Sequence, residues 1–236
     1  MTAPSGNGRS DASDTFTVER LHIEHSVYYA LQPPAEQVKE PPALLIAAHG
    51  YGQSCKNFIR AFESLRDGNW LVVAPQGPNQ FYWDQGKVGF SWMTSYGREN
   101  TIEDLMNYMR RLVEAVGKKH PFDERRVFAL GFSQGSALAF RFGAAGIVPI
   151  RGVVACGGDL PPDVAARLSE LKPFPALIVH GKDDQAMSFE KAREGEQQLR
   201  DHNFPVDTDY FDGGHELPPE VVARIVKWMI GRNGDV

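Results

Sequence analysis

The sequence predicts an α/β fold: a mostly parallel, doubly wound sheet with helices on both faces. Three observations carry this. Apolar runs at 43–48, 70–74, 152–156 and 175–179 each give way to a stretch with helical periodicity, the rhythm of strands joined by crossover helices. Within several of these runs the apolar residues are consecutive rather than alternate, as a strand covered on both faces requires. Most of the predicted strands, the 206–211 strand included, also close on a polar, Gly-rich turn such as His49-Gly50-Tyr51-Gly52, His180-Gly181-Lys182-Asp183-Asp184 or Asp212-Gly213-Gly214-His215.

The elements follow in order. Residues 1–15 are small and polar without an apolar stretch, so they read as a disordered extension rather than a signal peptide. The chain of 236 residues then suits one domain over 16–236, with nothing inside that resembles a linker. From 19 to 31, Leu21, Ile23, Val27 and Tyr29 fall at spacings of two, predicting a strand or hairpin with one buried face and a slip near His25-Ser26. A Pro-rich loop leads to the 43–48 strand, a helix over 56–66 and the 70–74 strand. Residues 75–100 form a long loop rich in aromatics (Phe81, Tyr82, Trp83, Phe90, Trp92, Tyr96), which either packs down or walls a binding site. Thr101 is placed to cap a helix whose apolar face includes Leu105, Met109, Leu112 and Val116, with Gly117 closing it.

The segment from Arg126 to Ala137 organises the rest. A short apolar strand runs into Gly131-Phe132-Ser133-Gln134-Gly135 and then into a helix of small residues. Gly-x-Ser-x-Gly in that context is the nucleophile elbow of an α/β-hydrolase fold, a strained turn that lifts a serine hydroxyl above the sheet. The glycines are needed because side chains flanking so tight a turn would collide with the neighbouring strand and helix. Beyond it come the 152–156 strand, a Gly157-to-Pro162 turn, a short helix to Leu171, the 175–179 strand, a helix over 188–202, the 206–211 strand and a closing helix over 218–230.

In such a sheet, chemistry sits outside the carboxyl ends of the strands. The polar residues found there are His49, Ser133, Asp159, Asp183, Asp184 and His215. A serine hydroxyl becomes nucleophilic when an imidazole takes its proton, and a carboxylate then orients that imidazole. The order serine, acid, histidine is obeyed by Ser133, Asp184 and His215. For the acid, Asp183 and Asp159 remain alternatives, Asp159 because it follows the strand next after the elbow. Among the histidines, His180 precedes the acid and His49 precedes the elbow, where it shapes the turn; His22, His25, His120 and His202 read as solvated or packed. The Tyr51 and Gln134 backbone N–H groups are the expected oxyanion donors.

These residues make the sequence resemble the phospholipase/carboxylesterase family of α/β-hydrolases, which includes acyl-protein thioesterases and small bacterial carboxylesterases. The resemblance runs from about Ala43 onward, and also covers Ser91-Trp92 and Gly158-Asp159-Leu160-Pro161. It implies a cofactor-free, lidless serine esterase with nucleophile Ser133, acid Asp184, base His215 and oxyanion donors Tyr51 and Gln134, and no metal. Two positions depart from it: Asp159 stands where an apolar or aromatic residue is usual, and Gln185 stands where a proline usually follows the acid. With Trp83 and Trp92, Asp159 is an expected substrate contact, disfavouring long acyl chains or anionic head groups.

Composition narrows the rest. The formal net charge is −5, with no basic stripe to suit nucleic acid, and no apolar run approaches the ~18–20 residues that span a bilayer. The two cysteines, Cys55 and Cys156, are too few for a disulfide framework. The expectation is a cytoplasmic hydrolase of a small-molecule ester, without stable membrane association; a homodimer is left open. A thioesterase or lysophospholipase using the same residues is the second reading. A peptidase would need an extra domain restricting access, and a non-catalytic binding protein would normally lack one of the three residues.

Overall fold

The computed structural model describes residues 17–36, 39–84 and 86–234. The extension expected to be disordered, 1–15, lies outside the described residues. In chain order the elements are β1 (Tyr29–Gln32), β2 (Ala43–Ala48), α1 (Cys55–Phe58), β3 (Trp70–Pro75), β4 (Asn79–Asp84), β5 (Lys87–Ser91), α2 (Arg98–Lys119), β6 (Val127–Phe132), α3 (Gln134–Ala145), β7 (Gly152–Cys156), α4 (Pro162–Ala165), β8 (Ala176–Gly181), α5 (Phe189–Asp201), β9 (Val206–Phe211) and α6 (Pro219–Asn233). Seven strands form one sheet in the order β1-β3-β2-β6-β7-β8-β9. Every pairing in it is parallel except that of β1 with β3. The doubly wound α/β fold read from the sequence is the fold observed.

The consecutive apolar residues have a direct cause in the pleat, which sends successive side chains to opposite faces. In β2, Leu44, Ile46 and Ala48 join a core beneath α2, α3 and α5, where Leu105, Met109, Leu138 and Leu199 meet them. Ala43, Leu45 and Ala47 join a second core with Phe62, Leu65, Val221, Ile225 and Met229, beneath α6 and the segment after α1. Two buried faces demand an apolar residue at every position. At the β9 edge one side is wet, and there Asp207 and Asp209 appear, held by Arg232 and Arg224.

Four expectations are corrected. The strand at 19–31 shrinks to Tyr29–Gln32, and Leu21 and Ile23 lie exposed on irregular chain. Its partner β3 ends at Pro75, opposite Tyr29, so the ladder stops there, and Arg20 instead bonds Asn100 and Asp104 of α2. The helix at 56–66 is α-helical only for its first turn; Ile59–Asp67 tightens to 3-10 geometry with a kink at the fully buried Phe62. The long aromatic loop contains an antiparallel hairpin of β4 and β5. Finally, α2 starts at Arg98, beyond a left-handed Gly97, and runs through Gly117, while the Thr101 hydroxyl donates to Gly97 O rather than capping.

Candidate active site

β6 ends at Phe132 and α3 begins at Gln134, so Ser133 alone makes the turn. Its φ of 53° and ψ of −120° lie in a region that residues with a side chain rarely adopt. The turn is locked from both sides: Ser133 N–H donates to Cys156 O at 2.8 Å, and the Ser136 hydroxyl donates to Ser133 O at 2.5 Å. The glycines are sterically required. A Cβ on Gly131 would sit 2.0 Å from Gly135 O, and one on Gly135 would sit 2.2 Å from Ala48 O.

Two other loops at the same end of the sheet deliver the partners of Ser133. Asp184 follows β8 and His215 follows β9. His215 Nδ1 lies 2.7 Å from Asp184 Oδ2, and His215 Nε2 lies 2.9 Å from Ser133 Oγ. An ionised carboxylate only accepts, so the ring proton sits on Nδ1 and Nε2 faces the hydroxyl as an acceptor. The other carboxylate oxygen, Asp184 Oδ1, takes the Ala186 and Met187 N–H groups, both at 2.8 Å. Burial pushes the Asp184 carboxyl up, but those N–H bonds and the His215 ring outweigh it and hold its pKa below the usual carboxylate value. The structure therefore brings Ser133, Asp184 and His215 together. Asp183 lies exposed on the same turn, and half-exposed Asp159 makes no hydrogen bond among the described residues.

The turn after β2 is equally ordered. His49 is fully buried, its Nδ1 2.7 Å from Gly50 O and its Nε2 accepting from Gly77 N–H at 3.0 Å. Burial lowers the His49 pKa against the opposing Gly50 carbonyl, and the two bonds are met together by a ring with its proton on Nδ1. Gly50 N–H donates to Gln53 Oε1 and Gly52 N–H to Phe90 O. Tyr51 N–H lies between them and, like Gln134 N–H, finds no acceptor among the described residues.

The expected substrate contacts fare differently. Trp92 is a correction: it is 1 % exposed, its ring packs on His49, and its Nε1–H donates to His49 O at 2.7 Å. A buried ring with its one polar atom committed cannot line a site. Trp83 is half-exposed on β4, against Gly52 and tilted onto Tyr51 at 5.6 Å. A cleft of about 650 Å³ opens beside His215, lined among others by Gln53, Asn57, Phe58, Phe132, Glu216 and Leu217. Most of these were not singled out in the sequence, since their grouping depends on α1 facing the loop before α6. His180 was placed only as a weak competitor for the base; its buried Nε2 meets Met187 O at 2.9 Å and Asp184 Oδ2 at 3.5 Å. It stands behind the carboxylate rather than beside the serine. Among the described residues no group of His, Cys, Asp and Glu is placed to hold a metal, and no helix is long and apolar enough to cross a membrane.

Comparison with known proteins adds context. Residues 34–230 match the Phospholipase/Carboxylesterase family. The chain is 23% identical over 161 residues to a bifunctional acetylxylan esterase/xylanase of Neocallimastix patriciarum, a match covering 67% of this chain and 22% of that protein. It is 28% identical over 141 residues to the putative hydrolase MhqD of Bacillus subtilis, covering 53% of this chain and 64% of that one. The matched regions thus span less than two thirds of either relative. In three dimensions it resembles esterase PE8 with a TM-score of 0.74 at 17% identity, covering 87% and 98% of the two chains. It also resembles Zea mays acyl-protein thioesterase 2 with a TM-score of 0.66 at 18% identity, covering 88% and 99%.

Proposed function

Because the chain belongs to the phospholipase/carboxylesterase family of hydrolases, we propose that it is a serine carboxylesterase that cleaves short-to-medium acyl esters through an acyl-enzyme on Ser133. The observation that carries this reading is the single imidazole bridging Ser133 Oγ at 2.9 Å and Asp184 Oδ2 at 2.7 Å, on a serine held at positive φ. His215 Nε2 takes the Ser133 proton as Oγ bonds to the ester carbonyl carbon. The carbonyl oxygen gains the negative charge and meets the N–H groups of Tyr51 and Gln134, the latter at the N-terminus of α3 where the helix dipole adds to it. Collapse breaks the bond to the alcohol oxygen, which leaves with the proton from His215. Water then repeats the sequence on the acyl-enzyme, with His215 as base and Ser133 as leaving group.

Hydrolysis of a p-nitrophenyl ester series from acetyl to palmitoyl tests this, with Ser133→Ala as the control. A maximum at short-to-medium chains that vanishes in the variant is the expected result; absence of Ser133-dependent turnover on every ester would refute it. One observation favours a second reading, an acyl-protein thioesterase or lysophospholipase with the same residues. Tyr82, Trp83 and Tyr96 lie 80%, 57% and 82% exposed on and beside the hairpin, an aromatic surface suited to a lipid chain. Turnover rising with chain length would move that reading ahead.

A further inference from the structure

We propose that the four residues Phe90–Ser91–Trp92–Met93, where β5 leaves the hairpin, act as one clamp that sets both oxyanion donors, and that Trp92 and the Gln134 side chain are its positioning residues. The inference rests on the reading of Tyr51 and Gln134 N–H as those donors. The two donors belong to different elements, the turn after β2 and the first residue of α3, and no hydrogen bond joins one to the other directly. The short segment bonds to both.

On the β2 side, Phe90 O accepts from Gly52 N–H at 2.8 Å, and Trp92 Nε1–H donates to His49 O at 2.7 Å. These two bonds bracket Tyr51. On the α3 side, the Gln134 amide lies along the main chain as a neighbouring strand would. Its Oε1 accepts from Trp92 N–H at 2.8 Å and its Nε2 donates to Met93 O at 2.8 Å, with the Ser91 hydroxyl reaching the same Oε1 at 3.2 Å. The clamp is itself held close. A Cβ on Gly77 would lie 2.8 Å from Ser91 O, so the chain leaving β3 passes directly against it, and Gly77 N–H is one of the donors fixing His49.

Trp92 thus touches both halves, through its ring to the β2 turn and through its backbone to Gln134. Oxyanion donors stabilise charge only where they point at the place it develops, and their alignment is set by the groups behind them. The aromatic loop that the sequence left open as either a packed excursion or a substrate wall is, on this geometry, the support behind the chemistry. Its outer face remains free to meet substrate.

The test uses the full chain and two variants. Gln134→Met keeps the backbone N–H and the side-chain length but loses both amide bonds. Trp92→Phe keeps a ring in the core but loses the donor to His49 O. Removing a whole oxyanion donor typically costs about 10²–10³ in rate, so misaligning one should cost about 10–100-fold in kcat. KM should stay within about threefold. Affinity for a trifluoromethyl ketone, whose adduct on serine carries an oxyanion, should fall by about the same factor as kcat. A structural role alone would lower Tm and leave kcat and ketone affinity of the folded protein unchanged. That result in Gln134→Met, or a change confined to KM, overturns the proposal even if Trp92→Phe does not fold. A wild-type protein with no Ser133-dependent turnover and no ketone adduct would instead refute the functional reading, and the clamp with it.

Discussion

Replacing Asp184 with asparagine separates the orienting role of the carboxylate from its mere presence. Asp184 Oδ1 is pinned by two backbone N–H groups at 2.8 Å. In Asp184→Asn the amide oxygen must keep that place, because the amide nitrogen cannot accept from them. The NH₂ then occupies the position of Oδ2, 2.7 Å from His215 Nδ1, and donates to it. The ring proton is forced to Nε2, where it points at Ser133 Oγ and blocks proton uptake. The geometry survives while the tautomer is wrong, a change that costs about 10⁴ in kcat, or about 5 kcal/mol of barrier. Steady-state kinetics on a short p-nitrophenyl ester, with Tm measured alongside, checks this. Asp159→Asn, at the position the sequence left as an alternative acid, should retain kcat within about threefold. An Asp184→Asn enzyme within tenfold of wild type, or a collapse in Asp159→Asn instead, would refute the assignment.

Other outcomes follow from the same geometry. Arg141 in α3 is 3% exposed and forks onto Asp163 at 2.8 and 2.6 Å, so Asp163→Asn strands a buried cation. With the Asp163 side chain 36% exposed, water softens the loss to about 2–3 kcal/mol in urea unfolding at pH 7. Burial raises the Asp163 pKa but the Arg141 bonds and charge outweigh it, so the folded value is depressed. Its stabilisation is therefore full above the ordinary carboxylate pKa of about 4 and fades as pH falls through the lower folded value; the gap between wild type and variant should close in acid. A gap that stayed constant to pH 2 would contradict this. Gly135→Ala drives a Cβ to 2.2 Å from Ala48 O, backbone in a central strand, and should yield no soluble folded protein. Normal expression with an unchanged Tm would be the contrary result. Trp83→Ala should reduce kcat/KM for long acyl chains while sparing acetyl; a uniform loss would make the ring a packing residue only.

The sequence disclosed the parts of this fold that depend on local rules. Strand β2 had to be apolar throughout because both its faces are covered, and the elbow had to carry glycines because its turn admits no side chain at 131 or 135. Ser133 and His215 were legible because each ends a strand in a fixed chain order; that order also admitted Asp159 and Asp183 as the acid, and Asp184 stood out partly through the family resemblance. What was not legible depends on where distant segments cross. Leu21 and Ile23 carry a strand pattern, yet β3 runs out at Pro75 and leaves them without a partner. Phe81 and Trp83, then Val88 and Phe90, alternate about Gly86, a hairpin signal that the density of aromatics obscured. Trp92 looked like a wall because tryptophan in a long loop often is one. Its burial is set by His49 and Gln134, 43 and 42 residues away in sequence.

The most direct test of the central claim is reaction of the protein with a fluorophosphonate probe, followed by peptide mass spectrometry. Oγ of an activated serine bonds to phosphorus and fluoride leaves, so the reading predicts one adduct, on Ser133, that His215→Ala abolishes. No adduct, an adduct on another residue, or labelling of Ser133 that persists without His215 would contradict it.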